Sequence, residues 1–96
     1  FEKELEIVQA KMPEIGEQLA RQICNFMQGF REVDFYKKPG IAETLDWATA
    51  LVTLHKNDLD TDAVNDTLGA IFKYQEDVIR AKEEAVPMLM GRYAGE

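Results

Sequence analysis

Apolar positions recur along most of this chain at helical rather than strand spacing. The cleanest stretch holds Ile15, Leu19, Ile23, Phe26 and Phe30, which succeed one another by 4, 4, 3 and 4 residues and form one apolar stripe. The spacing predicts a core helix from about 13 to 31, with Pro13 first, where a missing N–H is tolerated. Ahead of it, Leu5, Val8 and Met12 share one side of residues 2–11. Glu2, Glu4 and Glu6 crowd the start of that stretch, the end at which a helix dipole favours anions. A third helix is expected from Ile41 to about His55. Ile41, Leu45, Ala48 and Val52 lie on one of its faces, and Trp47, Leu51 and Leu54 widen that face.

Residues 32–40, EVDFYKKPG, break this rhythm and end in the Pro39-Gly40 turn signal, so an ordered loop is expected there. Lys56-Asn57-Asp58 is a polar connection, after which Asp60 or Thr61 can cap a fourth helix whose Val64, Leu68 and Ile71 point inward. Gly69 inside that helix costs about 1 kcal/mol relative to Ala, which points to close approach of a neighbour. A fifth helical stretch, about 74–86, ends at Pro87. Beyond it Met88-Leu89-Met90 is short, and Gly91 and Gly95 discourage further structure. The fold class expected is all-α, a small bundle of four to five helices over residues 1–86 with a C-terminal tail over 87–96. Its core is assigned to Leu19, Ile23, Phe26, Leu45, Trp47, Leu51, Leu68 and Ile71. The chain has no internal repeat, low-complexity segment or convincing strand.

Composition narrows the function. At 96 residues there is room for one domain with a modest core. A net charge of −7 argues against nucleic acid or anionic membrane as partner, since both need clustered Lys and Arg. No apolar run approaches the roughly 18 residues of a membrane span, and the first residues show neither a signal-peptide core nor an Arg-rich transit pattern. A soluble protein is expected. The chain opens on Phe1 rather than Met, as expected either of a longer chain that was trimmed or of a precursor that was cleaved.

Candidate chemistry is sparse. Asp58, Asp60 and Asp62 would occupy positions 1, 3 and 5 of a calcium loop, but position 6 is Ala63 where a sharp turn needs Gly, and position 12 is Gly69 where a bidentate Glu belongs. A solvated helix cap is the better reading, and no metal ligand set is assigned. His55 has no second histidine or cysteine to work with, and Cys24, the single cysteine, falls among packing residues with no activating base beside it. Gly16, Gly29, Gly40 and Gly69 match no phosphate-binding spacing. No catalytic residue is expected in this chain, nor any cofactor of its own. Lys37 and Lys38, set just before a helix start, form an anion-facing corner that Glu43 and Asp46 partly oppose. Periodicity alone makes the same segment an ordinary helix start with an aromatic core residue.

Residues 37–51, KKPGIAETLDWATAL, closely resemble a block in the C-terminal part of MoxR-type AAA+ ATPases, a Lys-Pro turn followed by Ala-Glu-Thr-Leu-Asp-Trp-Ala. Glu6-Ile7-Val8, Pro13, Phe26 and Phe30-Arg31 upstream extend the resemblance, as do Thr67-Leu68-Gly69, Lys73-Tyr74 and Glu76-Asp77 downstream, so that it covers roughly residues 4–80. It implies a helical lid that closes over a nucleotide held by a P-loop ATPase core, with ATP and magnesium bound by the parent protein and not by this segment. It further implies a homo-oligomeric ring, client proteins that the parent remodels or matures, and a cytoplasmic location, with which a lone cysteine agrees. Many such lids supply a sensor arginine at the start of the third helix. The matching positions here, Gly40-Ile41-Ala42-Glu43, hold none, so Lys37, Lys38, Gly40, Ala42 and Glu43 are expected near the nucleotide without a phosphate-sensing arginine. A free-standing helical interaction module is the alternative reading.

Overall fold

The computed structural model describes residues 1–93, and every regular element among them is helical. Helix α1 spans Glu2–Lys11 and turns Leu5 and Val8 inward, with Met12 buried behind them. Helix α2 spans Glu17–Glu32 and does not begin at Pro13 as expected. A proline drives the residue before it out of helical geometry, and Met12 sits at φ −132°, ψ 75°. A turn follows, closed by the Ile15 N–H on the Met12 carbonyl at 3.0 Å, and extended Gly16 leads into the helix. Ile15 therefore joins the buried stripe from a turn, two residues ahead of the helix that carries the rest of it.

Two corrections arise in the middle of the chain. Helix α3 spans Ile41–Thr53, and the residues it buries are Thr44, Trp47, Ala48 and Leu51. Ile41 and Leu54 are exposed, while Leu45 and Val52 are only partly buried, so the core face is rotated from the expected one. The indole sets the rotation: Trp47 is the largest group on the helix, is fully buried, and donates its ring N–H to the Thr67 hydroxyl at 2.7 Å. The second correction concerns the fourth helix, which does not run through to Ile71. Helix α4 covers Thr61–Asp66, with the Asp60 carboxylate accepting from the Ala63 N–H at 2.7 Å, and a 3₁₀ turn takes over at Leu68–Ala70. Thr67 lies at the break, where its hydroxyl accepts from Trp47 and donates back to the Ala63 carbonyl at 2.7 Å, competing with the backbone ladder. No neighbour comes within 4 Å of a Cβ placed on Gly69, so the close approach expected there is absent.

The expected stop at Pro87 is also not found. Helix α5, Gln75–Arg80, passes through a π turn at Ala81–Ala85 into α6, Val86–Tyr93, as one continuous rod. Proline in a helix removes a donor and collides with the carbonyl four residues back. Here the turn before it is widened, with the Val86 N–H reaching the Ala81 carbonyl five residues back, and the rod continues. Residues 86–93 thus complete the core: Val86 and Leu89 are buried, and the Tyr93 ring lies 6.3 Å from that of Phe26. Close approach occurs at Gly29 of α2, where a Cβ would stand 2.3 Å from a Leu89 methyl. Gly95 lies outside the described residues.

Counting that rod once, the described residues form an all-helical bundle of five helices. α1, α2 and α3 pack against each other, while α6 lies on α2 and α4. No helix among them is long and apolar enough to cross a membrane. The assigned core residues Leu19, Ile23, Phe26, Trp47, Leu51, Leu68 and Ile71 are all buried, around a cluster in which the Phe26, Phe30 and Trp47 rings lie 6.1–6.2 Å apart.

Candidate functional site

The loop from Val33 to Gly40 carries the anion-facing corner, and two buried carboxylates on other elements hold it. Asp77 of α5 is 2% exposed and accepts from the backbone N–H groups of Tyr36 and Lys37 at 2.8 and 3.0 Å. Glu4 of α1 receives the Arg31 guanidinium in a two-pronged pair, both prongs at 2.7 Å. Gln28 adds a donor to Glu4 at 3.1 Å and the Thr44 hydroxyl lies 2.5 Å away. The Arg31 Nε–H donates to the Pro39 carbonyl at 2.9 Å, and a terminal N–H reaches the Thr44 hydroxyl at 3.0 Å. Between the two anchors Phe35 turns inward, its ring 4.4 Å from that of Phe72. The loop is thus fixed through its backbone and one apolar plug, and its polar side chains are left outside.

Charges follow from this geometry. Burial alone would raise the Glu4 carboxyl, but the hydrogen bonds and charge of Arg31, with Thr44 and Gln28, outweigh it and hold the group below the ordinary carboxylate range. Arg31 is shifted upward by the same pairing with Glu4. Cys24 lies fully buried beneath this network, and burial pushes its thiol up to about 11, so it packs as a small apolar residue.

At the start of α3 the Glu43 carboxylate folds back to accept from the Gly40 N–H at 2.7 Å. That bond, ahead of the smaller effects of Lys37 and Lys73, holds its carboxyl below the ordinary range. The helix N-terminus, a natural place for an anion, is therefore occupied by a carboxylate of the chain itself. Lys37, Lys38, Gly40 and Ala42 are exposed around it. Lys37, Lys38 and Glu43 come together, with Pro39 and Ile71, on a cleft of only about 10 Å³, room for one water at most. Ala42, on the exposed side of the first turn, brings no polar group.

Lys73 belongs to the same cleft and was not singled out from the sequence as a site residue. It lies far along the chain from Lys37, and only the tertiary fold brings them together. Among the described residues, Lys37, Lys38 and Lys73 form no ion pair, whereas Arg21, Arg31, Arg80 and Arg92 each do. Elsewhere, Asp58 accepts from Gln18 and Gln22 and Asp60 caps α4, so Asp58 and Asp60 tie the connection to α2 and start α4. His55 adopts φ 58° just past the end of α3, where its N–H and that of Lys56 satisfy the Val52 and Leu51 carbonyls.

In comparisons with protein-family models, curated proteins and solved structures, nothing matches this chain.

Proposed function

We propose that this chain is the helical lid of a MoxR-type AAA+ ATPase, contributing closure of the nucleotide pocket and subunit contacts to a protein that remodels or matures partners. The reading rests on the resemblance of residues 37–51. The observation that gives it a mechanism is the corner those residues begin, held by Arg31 and Asp77 and capped by Glu43. Residues of this corner do not fit a direct phosphate contact, because a carboxylate already fills the helix N-terminus and would repel one. A corner held rigidly on two sides suits the other way a lid can respond to nucleotide. Lid and core would move as bodies, packing differently in each nucleotide state, and binding would shift the populations.

The test is made in the full-length protein. A Walker A motif should be encoded upstream of Phe1, and its absence sinks the reading. With that established, Lys37→Ala combined with Lys38→Ala should lower ATP turnover roughly tenfold or less, about 1.4 kcal/mol. A thousandfold loss with the oligomer intact would mean that a lysine had taken the sensor role, and rigid-body closure would not be the mechanism. The alternative, a free-standing helical interaction module, is favoured by one observation: an aromatic pair left exposed beside the lysine corner.

A further inference from the structure

Tyr36 and Tyr74 come from distant parts of the chain, yet their rings meet edge to face at 4.8 Å with 81% and 44% of their surfaces exposed. Lys37 and Lys73 are their immediate chain neighbours, and Lys38 follows. We propose that this aromatic and lysine surface docks an acidic segment of a partner polypeptide that carries an aromatic or proline residue. The inference rests on the loop geometry and holds whether the chain is a lid or a free-standing module.

Three observations carry it. First, the surface is rigid before any partner arrives. Asp77 holds the backbone of Tyr36 and Lys37, Arg31 holds the Pro39 carbonyl, and Phe35 is locked against Phe72, so little ordering remains for binding to impose. Second, the rings stand beside two shallow concavities of about 430 and 300 Å³ that share Tyr36 and Glu76, relief that suits a side chain rather than a flat wall. Exposed aromatics on a fixed backbone are the kind of group that dominates protein–protein contacts. Third, the charge is complementary to acid. On a chain of net charge −7, three lysines that form no ion pair among the described residues gather here, opposed by Glu43, whose carboxylate is engaged by Gly40. Asp34 and Glu76 line the neighbouring concavity, so the segment's acidic residues belong over the lysines and its aromatic or proline residue over the concavity; a polynucleotide, charged at every unit, cannot avoid those carboxylates.

The experiment selects the occupant. A random dodecapeptide library displayed on phage is panned against the 96-residue chain, and one enriched peptide is labelled and titrated by fluorescence polarisation. Enriched peptides should be acidic and bear an aromatic residue or proline, and their binding should weaken as salt rises. Lys37→Glu with Lys38→Glu should cost at least about tenfold in affinity, about 1.4 kcal/mol, and Tyr36→Ala with Tyr74→Ala a similar factor. A control, Lys11→Glu with Lys82→Glu, makes the same charge change elsewhere and should leave affinity unchanged. Because Asp77 grips backbone and not these side chains, the two lysine variants should keep the parent melting curve, and the tyrosine variant, which loses its ring contact, should melt lower but stay folded at the assay temperature. Enrichment of basic or purely apolar peptides, no enrichment, or binding that survives both double variants would overturn the proposal. So would a labelled single-stranded oligonucleotide that binds tightly and is lost in the same variants, which would assign the surface to nucleic acid.

Discussion

Replacing Arg31 with Met removes one partner of the Glu4 pair while keeping most of the side chain's length. The variant leaves a carboxylate 7% exposed with only Thr44 and Gln28 as donors, and the Pro39 carbonyl loses its guanidinium. Breaking a buried pair from one side costs about 3–5 kcal/mol. Arg31 keeps 27% of its side chain at the surface, so the lower end, about 3 kcal/mol, is expected. In a domain of this size 1 kcal/mol moves Tm by about 4–8 °C, so the loss is about 12–24 °C. Circular dichroism melts and urea titrations of Arg31→Met, Glu4→Leu and the double variant measure it. The double variant should recover much of the loss, because well-packed apolar residues often replace a buried pair at little cost. Acidity gives a second handle. Burial works to raise the Glu4 carboxyl, but its partners hold it below the unfolded value, and the Gly40 N–H does likewise for Glu43. Each therefore contributes stability that is present above the unfolded carboxylate pKa and lost as pH falls through the lower folded one. The parent should lose stability on acidification through that window, and Arg31→Met should lose less. An Arg31→Met variant melting within about 2 °C of the parent, or a double variant showing the full sum of the single losses, would refute the argument.

The close approach of α2 to α6 is tested by Gly29→Ala, whose new Cβ would meet a fully buried Leu89 side chain at 2.3 Å and cost about 1–3 kcal/mol in urea denaturation. Combining it with Leu89→Ala should destabilise by less than the two single changes together, and parent-like stability of Gly29→Ala alone would mean that the helices stand further apart. His55→Gly should raise stability by about 0.5–1 kcal/mol, because φ 58° is a conformation that a Cβ opposes. A lower melting temperature for that variant would show that the imidazole makes a contact worth more than the strain.

What the sequence shows of this fold is what depends on neighbours in the chain. The α2 stripe, the Asp60 cap and the loop punctuated by Pro39-Gly40 are local patterns, and each lies where its spacing puts it. The rotation of α3 is not local: 41, 45, 48 and 52 form as good a stripe as 44, 47, 48 and 51, and the buried indole with its Thr67 acceptor decides between them. Pro87 as a stop follows from helix sterics, and only a π turn ahead of it, together with a binding place for Leu89 over Gly29, lets the rod pass. Glu4 did leave a trace, since it aligns at spacings of four with Val8 and Met12 on the buried side of α1. A charge on an apolar stripe asks for a buried partner, though nothing in the spacing names Arg31. Lys37 and Lys38 are adjacent and visible as a pair, whereas their meeting with Lys73, and that of Tyr36 with Tyr74, are products of the tertiary fold.

The two buried carboxylates link stability to the surface in a specific way. Glu4 and Asp77 belong to α1 and α5, yet through Arg31 in one case and directly in the other both act on the loop's backbone. A carboxylate that has given up water needs hydrogen bonds in return, and loop N–H groups with no helix or strand to join need acceptors. At Asp77 each deficit satisfies the other, and on the Glu4 side Arg31 both pairs with the carboxylate and donates to the Pro39 carbonyl, which is why a stretch without regular structure is held firmly enough to set Tyr36, Lys37 and Lys38 at the surface. Changes in these side chains alter what the surface recognises while leaving the fold intact. Changes at Glu4, Arg31 or Asp77 alter both together, and a loss of binding in such a variant carries no information about contact unless its melting curve is measured beside it.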